Sequence, residues 1–399
     1  MLGAKHLERY ADVLIWGLKT ARTKRFKKGD IVLLRYDVAA LPLAEVLYAR
    51  LLDMGLHTLL RTVLTPRMEH DFYIRSDSKQ LVFRVPGDKE LFSHLNGSIS
   101  LRAPGSITHL SDVKPDKIGR AIVARKYLND ILDRREAEGE FGWTLCIYPT
   151  EELARHAGLS LEEYSEQIIR ACFLRNGDPV ETWKTIYHDA QSIKKWLNSM
   201  KVMYYQVESA NVHLTVTPGQ QRKWVGISGH NIPSFELFLS PDWRGTEGRF
   251  YADQPTYRSG NYVQGVRLEF KTGSVVKAYA EEGDEFLRRQ IQMDHGANKL
   301  GEFSLTDKRF SRINTFMANT LYDENYGGRS GNCHVALGAS YSDTFDGDPK
   351  DLVPEKKKEL GFNDSALHWD LVNTEKKRVS AHLTSGKCIT VYEDGMFSY

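Results

Sequence analysis

Residues 31–63 read IVLLRYDVAALPLAEVLYARLLDMGLHTLLRTV. Positions 31–36 are a compact apolar run, 42–52 repeat apolar residues at helical spacing and stop at Gly55, and 56–63 are apolar again. Strand, helix and strand in that order make a β-α-β unit, so a parallel sheet is expected in the first half of the chain. The turn after the first run, Asp37-Val38-Ala39-Ala40-Leu41-Pro42, lacks the glycines that let a backbone approach a pyrophosphate. That speaks against a dinucleotide site.

Upstream of this unit, Leu7, Tyr10, Val13, Leu14 and Leu18 recur at helical spacing and predict an amphipathic first helix. The basic cluster Lys24, Arg25, Lys27 and Lys28 follows it and reads as a solvated helix end rather than a binding patch. Downstream, a charged helical stretch at 116–138 precedes a buried-strand pattern at 143–148 (WTLCIY), and helical segments follow at 161–174 and 180–200. From about residue 204 the texture changes to short β-rich runs at 211–216, 225–227, 234–239, 262–268 and 275–279, separated by Gly, Pro, Asp and Asn. The expectation is an α/β N-terminal domain over residues 1–200 and an α+β, mostly antiparallel-sheet, C-terminal domain over 201–399. Residues 342–365, with Pro349, Pro354 and the triplet Lys356-Lys357-Lys358, read as a long surface loop.

Composition sets the outer limits. At 399 residues two domains are the natural expectation, and 41% hydrophobic with 27% charged residues is the balance of an ordinary folded protein. A formal net charge of +2 demands no polyanionic partner, so neither nucleic acid nor an anionic membrane surface is expected. Cys146, Cys172, Cys333 and Cys388 are scattered with no CxxC pair, which predicts reduced thiols. The apolar stretch at 11–16 contains Asp12 and lacks a small-residue cleavage site, and no apolar run approaches the roughly 18–20 residues of a membrane span. A cytoplasmic location without a membrane span is the resulting expectation.

Candidate chemistry collects in the second half, in short motifs punctuated by Gly and Pro: 231–236 (NIPSFE), 299–302 (KLGE), 322–325 (YDEN), 332–338 (NCHVALG) and 368–370 (HWD). Carboxylates and histidines together suit zinc, cobalt or manganese. In His368-x-Asp370 a strand period of two puts both side chains on one face, within reach of a shared ion. Each motif also has a plainer reading. His334 before Val-Ala-Leu fits a satisfied half-buried histidine, Glu302 an exposed turn residue, and 323–325 an Asx-type turn. Against this stands the cost of burying charge among apolar neighbours unless a metal or partner compensates it. No Gly-x-Ser-x-Gly elbow is present, and if Cys333 and His334 both lie on a strand they point to opposite faces, so a serine or cysteine nucleophile is disfavoured.

In this order, NIPSFE, LGE, LYDEN, NCHVALGASY and SALHWDLV, spanning 228–373, resemble the AmpS, AmpT and PepS type of thermophilic metallo-aminopeptidase. The resemblance implies a cytoplasmic homodimer that removes single residues from peptides with a free N-terminus and carries two divalent metal ions per chain (zinc, cobalt, manganese or magnesium). It implies metal ligands at Glu236, Glu302, Glu324, His334, His368 and Asp370, and catalytic roles for Glu302, as general base or bridging ligand, and for Tyr341. Many members carry Gly where this chain has Phe235, and the segment between Glu324 and His334 contains an added Gly-Gly-Arg-Ser-Gly stretch. Two rival functions share the same residues: a metal-dependent dipeptidase or amidohydrolase, and a non-enzymatic binding module with the second half as scaffold.

Overall fold

The computed structural model describes residues 2–399, which form two compact units. The first comprises the chain to Val113, Arg120–Tyr187 and Ile227–Ser234; the second comprises Lys114–Gly119, His188–Gly226 and Phe235–Tyr399. The chain therefore returns to the first unit for a short excursion after it has entered the second.

The first unit is a doubly wound α/β layer. Its sheet runs His57–Thr62, Ile31–Tyr36, Gly97–Arg102, Gly142–Ile147 and Asn231–Ile232, every pair parallel. Ile31–Tyr36, the helix Leu41–Asp53 and His57–Thr62 are the expected β-α-β unit. Val32, Leu33 and Leu34 are all buried, because helices cover both faces of the sheet and leave no solvated side to alternate toward. On one face the helix Ala4–Ala21 buries Tyr10, Val13, Leu14 and Leu18, and the Tyr10 hydroxyl donates to the Ile147 carbonyl at 3.0 Å. On the other, Leu33 and Trp143 pack with Phe92, Leu95 and Leu128, the last from the helix Pro115–Ala137.

The second unit holds two large antiparallel sheets and a two-stranded hairpin, Thr256–Arg258 with Asn261–Val263. The larger has eight strands in the order Ser274–Tyr279, Val266–Lys271, Glu247–Ala252, His213–Val216, Val202–Glu208, Arg378–Leu383, Cys388–Glu393 and Met396–Phe397. The smaller has four, ordered His368–Asn373, Asn332–Gly338, Leu300–Thr306 and Glu236–Leu239. Tyr205 of the larger sheet, Trp224 and Phe303 of the smaller meet with ring centroids 5.5–6.1 Å apart, and the Trp224 indole donates to the Tyr205 hydroxyl. This aromatic seam joins the two layers.

Two expectations need correcting. Residues 225–227 form no strand: Val225 meets Phe238 in a single bridge, and the backbone leaves the extended region directly after it, with φ of 135° at Gly226 and 50° at Ile227. The stretch 342–365 is more than a surface loop. It contains the helix Pro354–Glu359 and buries its own cluster of Phe345, Leu352, Leu360 and Phe362. All four cysteines are free, and among the described residues no helix is long and apolar enough to cross a membrane.

The first helix can approach the sheet closely only because Gly17 has no side chain: a Cβ would lie 2.7 Å from the Gly229 carbonyl oxygen and 3.0 Å from the Thr144 hydroxyl. Gly17→Ala should therefore destabilise the fold by about 1–3 kcal/mol through overpacking, despite alanine's better helix propensity. A denaturant titration with an unchanged midpoint would contradict that packing.

Candidate metal centre

Register places the candidate residues. In the four-stranded sheet Glu302 lies opposite Ala336, which lies opposite Asp370; Ser304 lies opposite His334; Thr306 lies opposite Glu236; and Gly338 lies opposite His368. Because side chains alternate with a period of two, Glu236, Glu302, Ser304, His334, His368 and Asp370 all project from one face. The intervening residues Leu237, Phe303, Leu305, Val335, Leu337 and Leu371 project from the other and are buried. One face of the sheet is hydrocarbon and the opposite face carries charge.

A bulge separates Leu300 from Glu302, at Gly301, where a Cβ would lie 2.3 Å from the Ala339 carbonyl oxygen. Bulges re-aim side chains, and here the re-aimed group is Glu302. His334 Nε2 lies 3.1 Å from Glu302 Oε1 and 3.1 Å from Glu236 Oε2, while His368 Nε2 lies 3.7 Å from Glu302 Oε2 and 3.4 Å from Asp370 Oδ1. Two triads result, Glu236 with Glu302 and His334, and Glu302 with His368 and Asp370, each with its ligand atoms within 4.8 Å of one another. Glu302 belongs to both, one oxygen toward each.

Hydrogen bonds fix these donors. The Ser304 hydroxyl donates to Glu236 Oε2 at 3.0 Å, and His368 Nδ1 meets the Ala339 carbonyl at 2.9 Å, which leaves Nε2 facing the carboxylates. His334 Nδ1 is buried without a hydrogen-bond partner. The Arg258 guanidinium donates to the His368 carbonyl at 2.7 Å and lies near enough to Asp370 to interact with its charge.

The electrostatics show what the cluster lacks. Burial, with Glu236 adding to it, raises Glu302 to about 7, and burial together with Glu236 and Asp370 raises Glu324 well above the usual carboxylate range. Burial alone would discharge His334, but its hydrogen bonds to Glu236 and Glu302 outweigh that and hold the ring protonated well above its ordinary value. Protons thus stand where positive charge is required, and oxygen and imidazole donors of this kind fit divalent ions, which supply that charge.

Of the sequence candidates, Glu236, Glu302, His334, His368 and Asp370 converge in the two triads. Glu324 belongs to neither triad; it ends the short helix Thr320–Asp323, buried and within electrostatic reach of Glu236, Asp370, His334 and Glu302. Tyr341 begins the 3₁₀ turn Ser342–Thr344 and lays its ring 4.6 Å from that of His368. Cys333 is buried on the hydrocarbon face with its thiol pushed up to about 11, which removes it as a thiolate nucleophile. The sequence reading missed the supporting residues Ser304 and Arg258, and took Asn325, whose side-chain oxygen accepts the Phe235 amide at 2.5 Å, only as part of a turn. Ser304 alone carried a signal, two positions after Glu302.

A buried set of carboxylates and imidazoles on one sheet face, divided between two triads that share Glu302, is the donor chemistry of a divalent-metal site, and the class of the protein, a metallo-hydrolase, follows from the family that it matches. The profile of the thermophilic metalloprotease family (M29) matches residues 4–397. The chain belongs to this family, the AmpS, AmpT and PepS type of metallo-aminopeptidase. It is 28% identical over 276 residues to aminopeptidase AmpS of Bacillus subtilis (strain 168), an overlap of 65% of this chain and 63% of that protein. Aminopeptidase T of Thermus thermophilus is 28% identical over 308 residues, covering 72% of this chain and 70% of its own. The fold matches that of wild-type AmpT from Thermus thermophilus at a TM-score of 0.79, with 21% identity and 99% of both chains covered.

If Ser304 holds Glu236 in place, Ser304→Ala should leave the protein folded but weaken divalent-metal affinity by roughly 10–100-fold, the usual cost of losing an outer-shell partner. Chelator competition measures this directly, and an affinity equal to wild type would show that Glu236 needs no such support.

Proposed function

We propose that the protein is a dinuclear metal-dependent aminopeptidase that hydrolyses the N-terminal peptide bond of peptides. The observation that carries this reading is Glu302, whose two oxygens face different donor triads and so suit a bridge between two ions. Glu236 and His334 complete one ion's donors, and His368 and Asp370 the other's. Zinc, cobalt and manganese suit these oxygen and imidazole donors, and magnesium is admitted by the carboxylates. Bound there, two ions polarise a scissile carbonyl and lower the pKa of water toward neutrality.

The chain's own residues supply the rest. Glu302 keeps the triads in register and is the shared carboxylate acceptor for a proton released between them, the catalytic role assigned to it. Glu324, a member of neither triad but within reach of their charge, joins as a further carboxylate donor. The Tyr341 hydroxyl donates to the oxyanion of the tetrahedral intermediate, a contact stronger in the transition state than in the ground state. All seven residues lie in the second half, residues 201–399, which is the catalytic domain in this reading. Substrates with a free N-terminus, a homodimeric assembly and a cytoplasmic location complete the proposal. They rest on the family relationship and are checked by substrate panels, sedimentation and fractionation.

Chelation should abolish hydrolysis of leucyl-, alanyl- and arginyl-amides, and adding back cobalt, zinc or manganese should restore it. Full activity in metal-free protein would sink the reading. N-acetylated versions of the same amides should not be cleaved, and their cleavage would favour an amidohydrolase. Tyr341→Phe should lower kcat by about 10²–10³, or about 3–4 kcal/mol, with KM and metal content little changed. A kcat within roughly threefold of wild type would remove Tyr341 from the oxyanion role.

A further inference from the structure

The parallel sheet of the first unit reverses its winding at Ile31–Tyr36. From this strand the chain moves to His57–Thr62 on one side, then crosses back to Gly97–Arg102 on the other. In open α/β sheets the crevice outside the carboxyl ends of the strands, at such a reversal, is where ligands bind. Here those carboxyl ends carry arginines. Arg35 lies opposite Arg61 in one neighbour and Ser100 in the other, and Arg102 follows Ser100 by two positions. The three arginines therefore share one sheet face. That is the face of Leu33, which packs against Leu128 of the helix Pro115–Ala137. Arg125 lies on the same helix, about one turn earlier.

All four arginines are exposed. Arg61 pairs with Asp88 at 2.9 Å, and the Asp37 carboxylate is engaged by the Ala103 amide at 2.6 Å. Among the described residues, no carboxylate lies within ion-pair distance of Arg35, Arg102 or Arg125. Arg35 keeps solvent contact, yet desolvation by its packing, followed by the charges of Arg102 and Arg61, holds it below its ordinary value. Unpaired positive charge is thus gathered at the reversal, where spreading it over the surface would have cost less.

We propose that this edge of the sheet binds a multivalent oxyanion of the phosphate class, gripped by Arg35, Arg102 and Arg125 with Arg61 alongside. A guanidinium presents its donors as a planar fork that matches phosphate oxygens two at a time. The turn after Tyr36 has no glycine cradle, so affinity rests on side-chain charge and falls as salt rises. Neither the peptidase reading nor its metal centre enters this inference.

The test is calorimetric titration of the full-length, metal-loaded protein with inorganic pyrophosphate, adenosine monophosphate and, as a carboxylate control, succinate. Saturable binding of pyrophosphate alone identifies a free phosphate anion, and binding of the monophosphate as well identifies a phosphate ester. Arg35→Gln combined with Arg102→Gln should weaken binding by roughly tenfold or more, as expected for lost charge-assisted contacts. Arg125→Gln, on an exposed helix position that does not threaten folding, should weaken it in the same direction while metal content stays constant. Because pyrophosphate also binds divalent ions, the titration is repeated on His334→Ala. Binding kept there and lost in the arginine variants supports the site. No saturable binding to wild type, binding untouched by the arginine changes, or succinate bound as tightly as pyrophosphate would each overturn it.

Discussion

The second unit is organised around one expensive requirement: several carboxylates and two imidazoles buried on a single sheet face. Charge removed from water costs several kcal/mol per group unless it is paired, and removing one partner of a buried pair typically costs about 3–5 kcal/mol. The four-stranded sheet meets the requirement with its alternation. Odd-numbered positions from Leu237 to Leu371 bury hydrocarbon, joined to the larger sheet by Phe303 with Tyr205 and Trp224, while even-numbered positions present the donors. The hydrophobic layer holds the backbone still, so the donors can stay crowded without the sheet opening.

That arrangement explains both what could be read from sequence and what could not. The motifs around Glu236, Glu302, His334, His368 and Asp370 were visible because Gly and Pro punctuate them and because the chain resembles a known family over that region. The strands that carry Glu302 and His334 were not visible as strands. Leu300–Thr306 and Asn332–Gly338 are buried at every position, so their two faces differ in chemistry rather than in exposure; the alternation in Glu302-Phe303-Ser304-Leu305-Thr306 and Asn332-Cys333-His334-Val335 is a strand signal, but it is short and is broken by Gly301, Ala336 and Gly338. Gly97–Arg102, a central strand of the parallel sheet, is a Gly- and Ser-containing hexapeptide with too little apolar content to stand out. The return of the chain at Ile227–Ser234 is equally silent, since two residues, Asn231 and Ile232, make the strand and their pairing with Leu145 and Cys146 is purely tertiary.

Support around Glu324 and Glu236 shows how turn chemistry is recruited to hold a charged site. Asn325 accepts the Phe235 amide and donates to the Leu321 carbonyl, and Asn332 and Thr306 both donate to the Glu324 carbonyl. Asp323 accepts the amides of Met317 and Asn319. The 322–325 motif, open to reading as a solvated Asx-type turn, is therefore buried and tied to three separate segments. Local sequence cannot report this, because the same short polar residues serve both purposes and only tertiary placement separates them.

The two triads share a carboxylate but not an environment. Burial works to raise Asp370, yet His368, His334 and Arg258 outweigh it and hold the carboxyl at about 2, whereas Glu302, with Glu236 beside it, is raised to about 7. The difference follows from where the cations stand. Arg258 cannot lose its charge under working conditions, and its contact with the His368 backbone keeps it beside Asp370 rather than Glu302. The His368–Asp370 side is also the more open, with side-chain exposures of 21% and 13% against 1% for His334 and 6% for Glu236. The His368–Asp370 side is therefore the more open and Asp370 the more firmly ionised, while Glu302, shared by both triads, is raised to about 7. Environments that push neighbouring titratable groups apart in this way are the means by which one site divides acid and base roles. In this sheet His368 does most to hold Asp370 ionised, and His334 and Arg258 add to it, the last from outside every motif that marks the donors.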